Sequence, residues 1–440
     1  MSPFSQLQCY IACISITDWE NHGNMNSILL LILLAYASMR AFDFTLDLFN
    51  YRHLKRYGHV IPEEFTGKLD EALLRKTSAY TVDKMRFGLI ETVFDELLIL
   101  IFIFSGLLAW YGSFITSFNL HFIVTGIIFF LPLVYLNTLI GIPFALYRTF
   151  KIENKYGFNK MTMKLWIADL AKSLLISTIL FALLISAALS LILASPAYWW
   201  LLVWLLFLLF SIFLMYISPY VIEPLFNKYS PLDDESLSSD ISAMMSKAGI
   251  KVSKVQKMDA SKRTGHSNAY FTGIGHVKRI VLFDTLLKQM EKNEILAVLA
   301  HEAGHWKCRH ILKILFIVET GALIMTYVAF KLLGSNILSS AFLIQDASFF
   351  TKLVLLGFAA SIFTWPFAPI FNMISRRFEW QADKFACGLT GENKGLASAL
   401  VKLSLENLSN LHPHPLYAKF HYSHPPVTER LRYLKQFKAG

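Results

Sequence analysis

The chain has 440 residues, 55% of them hydrophobic and only 16% charged, with a formal net charge of +10. Its mean hydropathy of +0.47 is far from that of a soluble domain. The positive charge sits in short segments between apolar runs, so it marks membrane topology rather than nucleic-acid binding.

Residues 1–24 lack Lys and Arg and so lack the charged start of a secretory signal. Met25 opens the apolar region, and the tail before it is given no function. The sequence then predicts seven membrane helices, each of about 17–25 mostly apolar residues. They run from Asn26 to Phe44, Leu89 to Tyr111, Phe122 to Tyr147, Ala168 to Ala194, Trp199 to Ile222, Ile311 to Leu333 and Phe350 to Ser375. Basic loops carrying Arg52, Lys55 and Arg56, or Arg148, Lys151 and Lys155, alternate with nearly uncharged ones such as Gly112–Phe118 and Ser195–Tyr198. The basic side is read as cytoplasmic, with the N-terminus outside and the C-terminus inside.

The segment 223–310 is the largest part outside the lipid. A helix is predicted from Asp233 to Ala248, and two short strands, Asn268–Thr272 and Arg279–Phe283, form a hairpin turned by Gly273 and Gly275. Asn293 is expected to cap the next helix, with Glu294 in its first turn. The expected division is a tail (1–24), helices one to five (25–222), a protease segment (223–310), helices six and seven (311–375) and a second protease segment (376–440).

The helix that follows carries His301-Glu302-Ala303-Gly304-His305. Residues four apart share a helix face, so the two imidazoles converge on one point and Glu302 lies within reach of a water there. A catalytic zinc takes three protein ligands and keeps one position open. Glu379 is the expected third ligand. Asp383, four residues on, is expected to hydrogen-bond a ligand imidazole and fix its tautomer. Cys9, Cys13, Cys308 and Cys387 form no paired Cys-x-x-Cys motif and are read as free thiols. Charged residues in or beside the helices, namely Glu91, Asp95, Glu96, Asp169 and above all Glu319, are expected to face protein or a water-filled space.

Four motifs in order carry a resemblance: His266-Ser267-Asn268-Ala269-Tyr270-Phe271, His301-Glu302-Ala303-Gly304-His305, Phe378-Glu379-Trp380-Gln381-Ala382-Asp383, and His421-Tyr422-Ser423-His424-Pro425-Pro426 with Glu429-Arg430. From about residue 25 to the C-terminus the chain resembles the type I CAAX prenyl protease family. The resemblance implies an all-α polytopic membrane protein, with seven transmembrane helices around a hydrated chamber and a mostly helical metalloprotease domain carrying a small β-hairpin. It implies one Zn²⁺ per chain on His301, His305 and Glu379, with Glu302 as general base and acid. It implies that Asn268, His424 and Arg430 line the site and support the peptide carbonyl or oxyanion. Peptides or prenylated proteins would be the substrate, and the bilayer the surrounding partner. Residues 259–275 and His412-Pro413-His414-Pro415 read closer to bacterial members, which favours a bacterial inner membrane over an endoplasmic reticulum membrane.

Three rivals stand beside this reading. A heat-shock-type quality-control zinc protease shares the His301 and Glu379 motifs but usually has fewer spans and lacks the His-Tyr-Ser-His-Pro tail. A site-two-type protease needs a late Asp-Gly motif that is not found. A non-catalytic transporter or scaffold would close its zinc with four protein ligands.

Overall fold

The computed structural model describes residues 27–272 and 277–437, so the N-terminal tail and the turn at Gly273 and Gly275 lie outside the described residues. The membrane part begins with α1 (Ser27–Tyr57) and α2 (Glu71–Phe104), then α3 (Leu107–Thr116), α4 (Phe122–Tyr147), α5 (Met163–Ala194) and α6 (Trp199–Ile217). Among the described residues six helices are long and apolar enough to cross a membrane, and the α2–α3 pair makes a seventh, bent by 59°. The bend differs from the straight second span expected from Leu89 to Tyr111. Gly106, with φ of 83°, supplies the left-handed residue that redirects the chain.

The protease part follows. It contains β1 (Tyr229–Pro231), α7 (Glu235–Lys247), β2 (Lys251–Met258), β3 (Ala269–Thr272), β4 (Val277–Phe283) and α8 (Lys292–Lys307). Membrane helix α9 (His310–Leu333) leads to α10 (Phe349–Thr364) and α11 (Ala368–Thr390), and the chain ends with α12 (Lys394–Glu406), α13 (Pro415–His421) and α14 (Val427–Lys435). The expected hairpin is present as the antiparallel pair β3–β4. It belongs to a larger, mixed sheet of order β1-β2-β4-β3, in which β2 runs parallel to β4. β3 is therefore an edge strand.

Two cap details matter for the site. Asp234 caps α7 by accepting from the Leu237 N–H at 2.8 Å, as its acidic start suggests. The cap of α8 is Glu291, not Asn293. Glu291 and Glu294 form a reciprocal capping box, and Glu294 accepts from the Glu291 N–H at 2.8 Å. Asn293 lies inside the first turn because Glu294 also bonds Ser398 at 2.6 Å and Lys402 at 2.8 Å on α12, which fixes where the helix begins.

The protease core is continuous. Ile241 and Met245 of α7, Ile280 and Leu282 of β4, Leu299, Ala300 and Ala303 of α8 and Ala399 of α12 are all buried in it. Phe65, just before α2, and Leu74, in its first turn, enter the same core and tie it to the membrane helices. The α10–α11 rod covers 42 residues. At ~1.5 Å per residue that is roughly 63 Å, about twice the hydrocarbon thickness, so the rod is longer than a single crossing needs.

Candidate metal centre

α8 and α11 pack closely, and the reason is in the sequence. A Cβ on Gly304 would lie 2.9 Å from the Ala382 Cα and 3.2 Å from the Phe385 Cβ. The glycine between the two histidines is thus the contact that lets α11 approach. It brings Glu379 over the helix that carries His301 and His305.

The three side chains converge. The Nε2 atoms of His301 and His305 are 3.2 Å apart. One Glu379 oxygen is 3.4 Å from His301 Nε2, and the other is 3.2 Å from His305 Nε2. A tetrahedral centre with ligands at 2.0–2.1 Å has edges of roughly 3.3 Å, so these separations match a zinc-sized ion. His301 and Glu379 are buried, and Glu379 Oε2 has no hydrogen-bond partner in the protein. A buried carboxylate oxygen without a donor is what a cation site presents. Among the described residues this is the one group of three metal-capable side chains so arranged.

The electrostatics agree. Burial alone would push His301 down, but the adjacent Asp383 and Glu379 carboxylates outweigh it and pull its imidazolium up to about 9. The pocket therefore draws positive charge. Glu302 moves the other way, held above the ordinary carboxylate range by burial, with His301 and His305 opposing.

The remaining expected residues sit as follows. Asp383 is fully buried and accepts from His301 Nδ1 at 2.8 Å. Arg430 donates to both Asp383 oxygens, at 2.9 and 2.5 Å, and lies 3.5 Å from Glu379. Its fork is turned to the Asp383 carboxylate, with Glu379 beside it. His424 places Nε2 3.4 Å from Glu379 and Nδ1 3.0 Å from the Ser423 hydroxyl. Asn268 is exposed at the start of β3, where its side-chain oxygen accepts from the Ala269 N–H at 2.9 Å. His310 was singled out by no motif, yet it stands 3.1 Å from His305.

A cavity of about 910 Å³ lies between the membrane helices and the C-terminal segment, and His424, Tyr422, Glu91, Asp95 and Arg148 are among its walls. Glu91 pairs with Arg148 there. Glu96 pairs instead with Arg40 at 2.8 Å, and Asp169 with Arg263 at 2.9 Å. Glu319, the strongest expectation, does not line this cavity. It is buried where α9 packs on α6, and its backbone carbonyl accepts from the Trp204 indole at 2.9 Å. Cys308 and Cys387 are free, as expected.

Residues 50–228 match the family model described as CAAX prenyl protease N-terminal, five membrane helices, and residues 231–438 match peptidase family M48. The CAAX prenyl protease 1 homolog of Arabidopsis thaliana is 35% identical over 411 residues, covering 90% of this chain and 94% of that one. The human homolog is 33% identical, with 86% and 89% covered, and the Saccharomyces cerevisiae enzyme is 32% identical, with 87% and 90% covered. The crystal structure of S. mikatae Ste24p superposes with a TM-score of 0.86 at 28% identity, covering 93% of this chain and 99% of that one. The chain therefore belongs to peptidase family M48, in its CAAX prenyl protease branch, and is a multi-pass membrane metalloprotease.

Proposed function

We propose that the chain is a zinc endopeptidase that cuts prenylated proteins or peptides near their C-terminus, with its centre at the cytoplasmic face. The observation that carries the reading is the convergence of three lone-pair donors beside Glu302, with His424 between Glu379 and the wall of a cavity that reaches the membrane helices. His301, His305 and Glu379 would hold the metal, which supplies a water acidified to a pKa of about 7 and a Lewis acid for the carbonyl. Three protein ligands leave a fourth position for chemistry, which disfavours a structural zinc.

This chain's own residues do the rest. Glu302 takes the water proton during attack and returns it to the leaving amine. Asp383, gripped by the Arg430 fork, holds the His301 Nδ1–H and so leaves Nε2 bare. Arg430 thus acts through Asp383. His424, on the cavity wall beside Glu379, is the donor assigned to the oxyanion, with Asn268 beside the substrate strand. The edge strand β3 accepts the peptide as an added strand. The wording of residues 259–275 favours a bacterial inner membrane, and the eukaryotic relatives favour an endoplasmic reticulum membrane if the chain is eukaryotic.

The test is a single assay on the purified full-length protein. A farnesylated tetrapeptide and unfolded casein are offered side by side, with and without chelator. Chelator-sensitive cleavage of the first alone is expected. Preferential cleavage of casein would overturn the substrate assignment, and chelator-insensitive cleavage the metal assignment.

A further inference from the structure

As metal donors His301 and His305 are alike, but the groups behind them differ. Behind His301 stands a carboxylate. Behind His305 stands His310, only 1% exposed, with its Nδ1 3.1 Å from the His305 Nδ1. The other His310 nitrogen, Nε2, is 2.9 Å from the side-chain oxygen of Gln381. Its ring lies flat on Phe378, with centroids 4.1 Å apart and planes 9° from parallel.

This placement is built, not incidental. His310 follows His305 by five residues, which on an unbroken helix would turn it about 140° away. The helix does not continue unbroken. Arg309 adopts the left-handed conformation, φ 55° and ψ 37°, a rare choice for a residue with a Cβ. The reversal returns the first residue of α9 to the centre. Phe378 and Gln381, which receive it, flank Glu379 on α11. His310 therefore touches both helices that supply metal donors.

We propose that His310 is a positioning residue for His305: a neutral imidazole that accepts the His305 Nδ1–H and passes its own Nε2–H to Gln381. The reading rests on His305 binding metal through Nε2, and the protons then have one consistent arrangement. A neutral His305 with Nε2 bare carries its hydrogen on Nδ1. The His310 Nδ1 facing it must accept, so the His310 hydrogen is on Nε2. Nε2 in turn needs an acceptor, and the Gln381 amide oxygen is one. The opposite arrangement, with His310 donating, would leave the His305 hydrogen on Nε2 and close it to a cation. The tautomers are assigned from this network. Outer groups of this kind orient ligand rings and raise their basicity.

The experiment measures zinc affinity of the full-length, detergent-solubilised enzyme by competition with a chromophoric chelator, alongside the visible spectrum of the cobalt-substituted form. His310→Phe keeps the ring stack on Phe378 and removes the acceptor. It should weaken zinc binding about 10–100-fold and alter the cobalt bands. His310→Asn restores an acceptor oxygen near the Nδ1 position and should recover most of that affinity. Gln381 is exposed, so Gln381→Leu will fold even if His310→Phe does not. It should weaken binding by a smaller factor that Gln381→Glu does not reproduce. Wild-type affinity in His310→Phe, equal losses in His310→Phe and His310→Asn, or no effect of Gln381→Leu would each overturn the proposal. A wild-type chain that takes up no zinc would overturn the metal reading itself, an outcome distinct from these.

Discussion

The protease part and the membrane helices are packed on different terms. In the protease part the close contact is backbone against backbone, with Gly304 of α8 on Ala382 of α11. Around it the buried charges are matched: Asp383 with Arg430, and Glu294 with Lys402. In the membrane part close approach meets side-chain tips. A Cβ on Gly126 would lie 2.3 Å from Leu189 Cδ1 and 2.8 Å from Phe350 Cε1. There the core is largely aromatic, as in the stack of Phe122, Phe129 and Phe350. Lipid tails are as apolar as leucine, so these helices gain from shape fit more than from leaving water. The protease part is thus a fixed frame, and the membrane part a more forgiving wall around the cavity.

The sharpest test of the frame is Glu302→Gln. Turnover should fall about 10²–10⁴-fold while zinc remains bound, as read by peptidase assay and metal analysis. Retained activity in a metal-loaded variant would remove Glu302 as the base. Next comes a pair. Gly304→Ala should cost about 1–3 kcal/mol of stability and lower zinc occupancy, because Ala382 backbone cannot swing aside. Gly126→Ala should shift thermal unfolding less and leave zinc content unchanged, because side-chain ends can rotate away. If Gly126→Ala proves the more damaging, the contrast between the two parts fails.

The smallest expected effect is on pH. Burial would raise Glu294, but Lys402, Ser398 and the Glu291 N–H outweigh it and hold it below its ordinary 4.5. A carboxylate lowered in the folded state stabilises above its unfolded pKa, and the gain is lost as pH falls through the folded value. Acid should therefore weaken the protease part from about pH 4.5 downward. Glu294→Gln should make that slope shallower, Asp383 and Glu64 being lowered too, and cost about 1 kcal/mol at neutral pH, measured by thermal unfolding.

Much of the centre was legible because it is written in local spacing. Four-residue steps on two helices place His301 with His305, and Glu379 with Asp383. What could not be read depends on distant partners. β2 has only a weak alternation, and it becomes a strand by lying parallel to β4. The α8 cap moved to Glu291 because α12 holds Glu294. The pairing of Arg430 could not be read either, because it is made with Asp383, 47 positions away in the chain. His310 was missed because a five-residue step leaves the helix face, and only the turn at Arg309 brings it back. Three histidines at 301, 305 and 310 were the available signal. Ser105-Gly106 was likewise the visible mark of the bend after α2.

The rod formed by α10 and α11 has one more consequence. The same near-continuous helix holds a membrane-capable apolar stretch and Glu379. The distance from that apolar stretch to Glu379 is thereby set in helical rungs, as on a ruler. A substrate held by a greasy anchor would be measured from that anchor and cut at a constant distance from it. Inserting a single residue between Ser375 and Glu379 would turn the carboxylate by about 100° and raise it by about 1.5 Å, spoiling both the grip and the gauge.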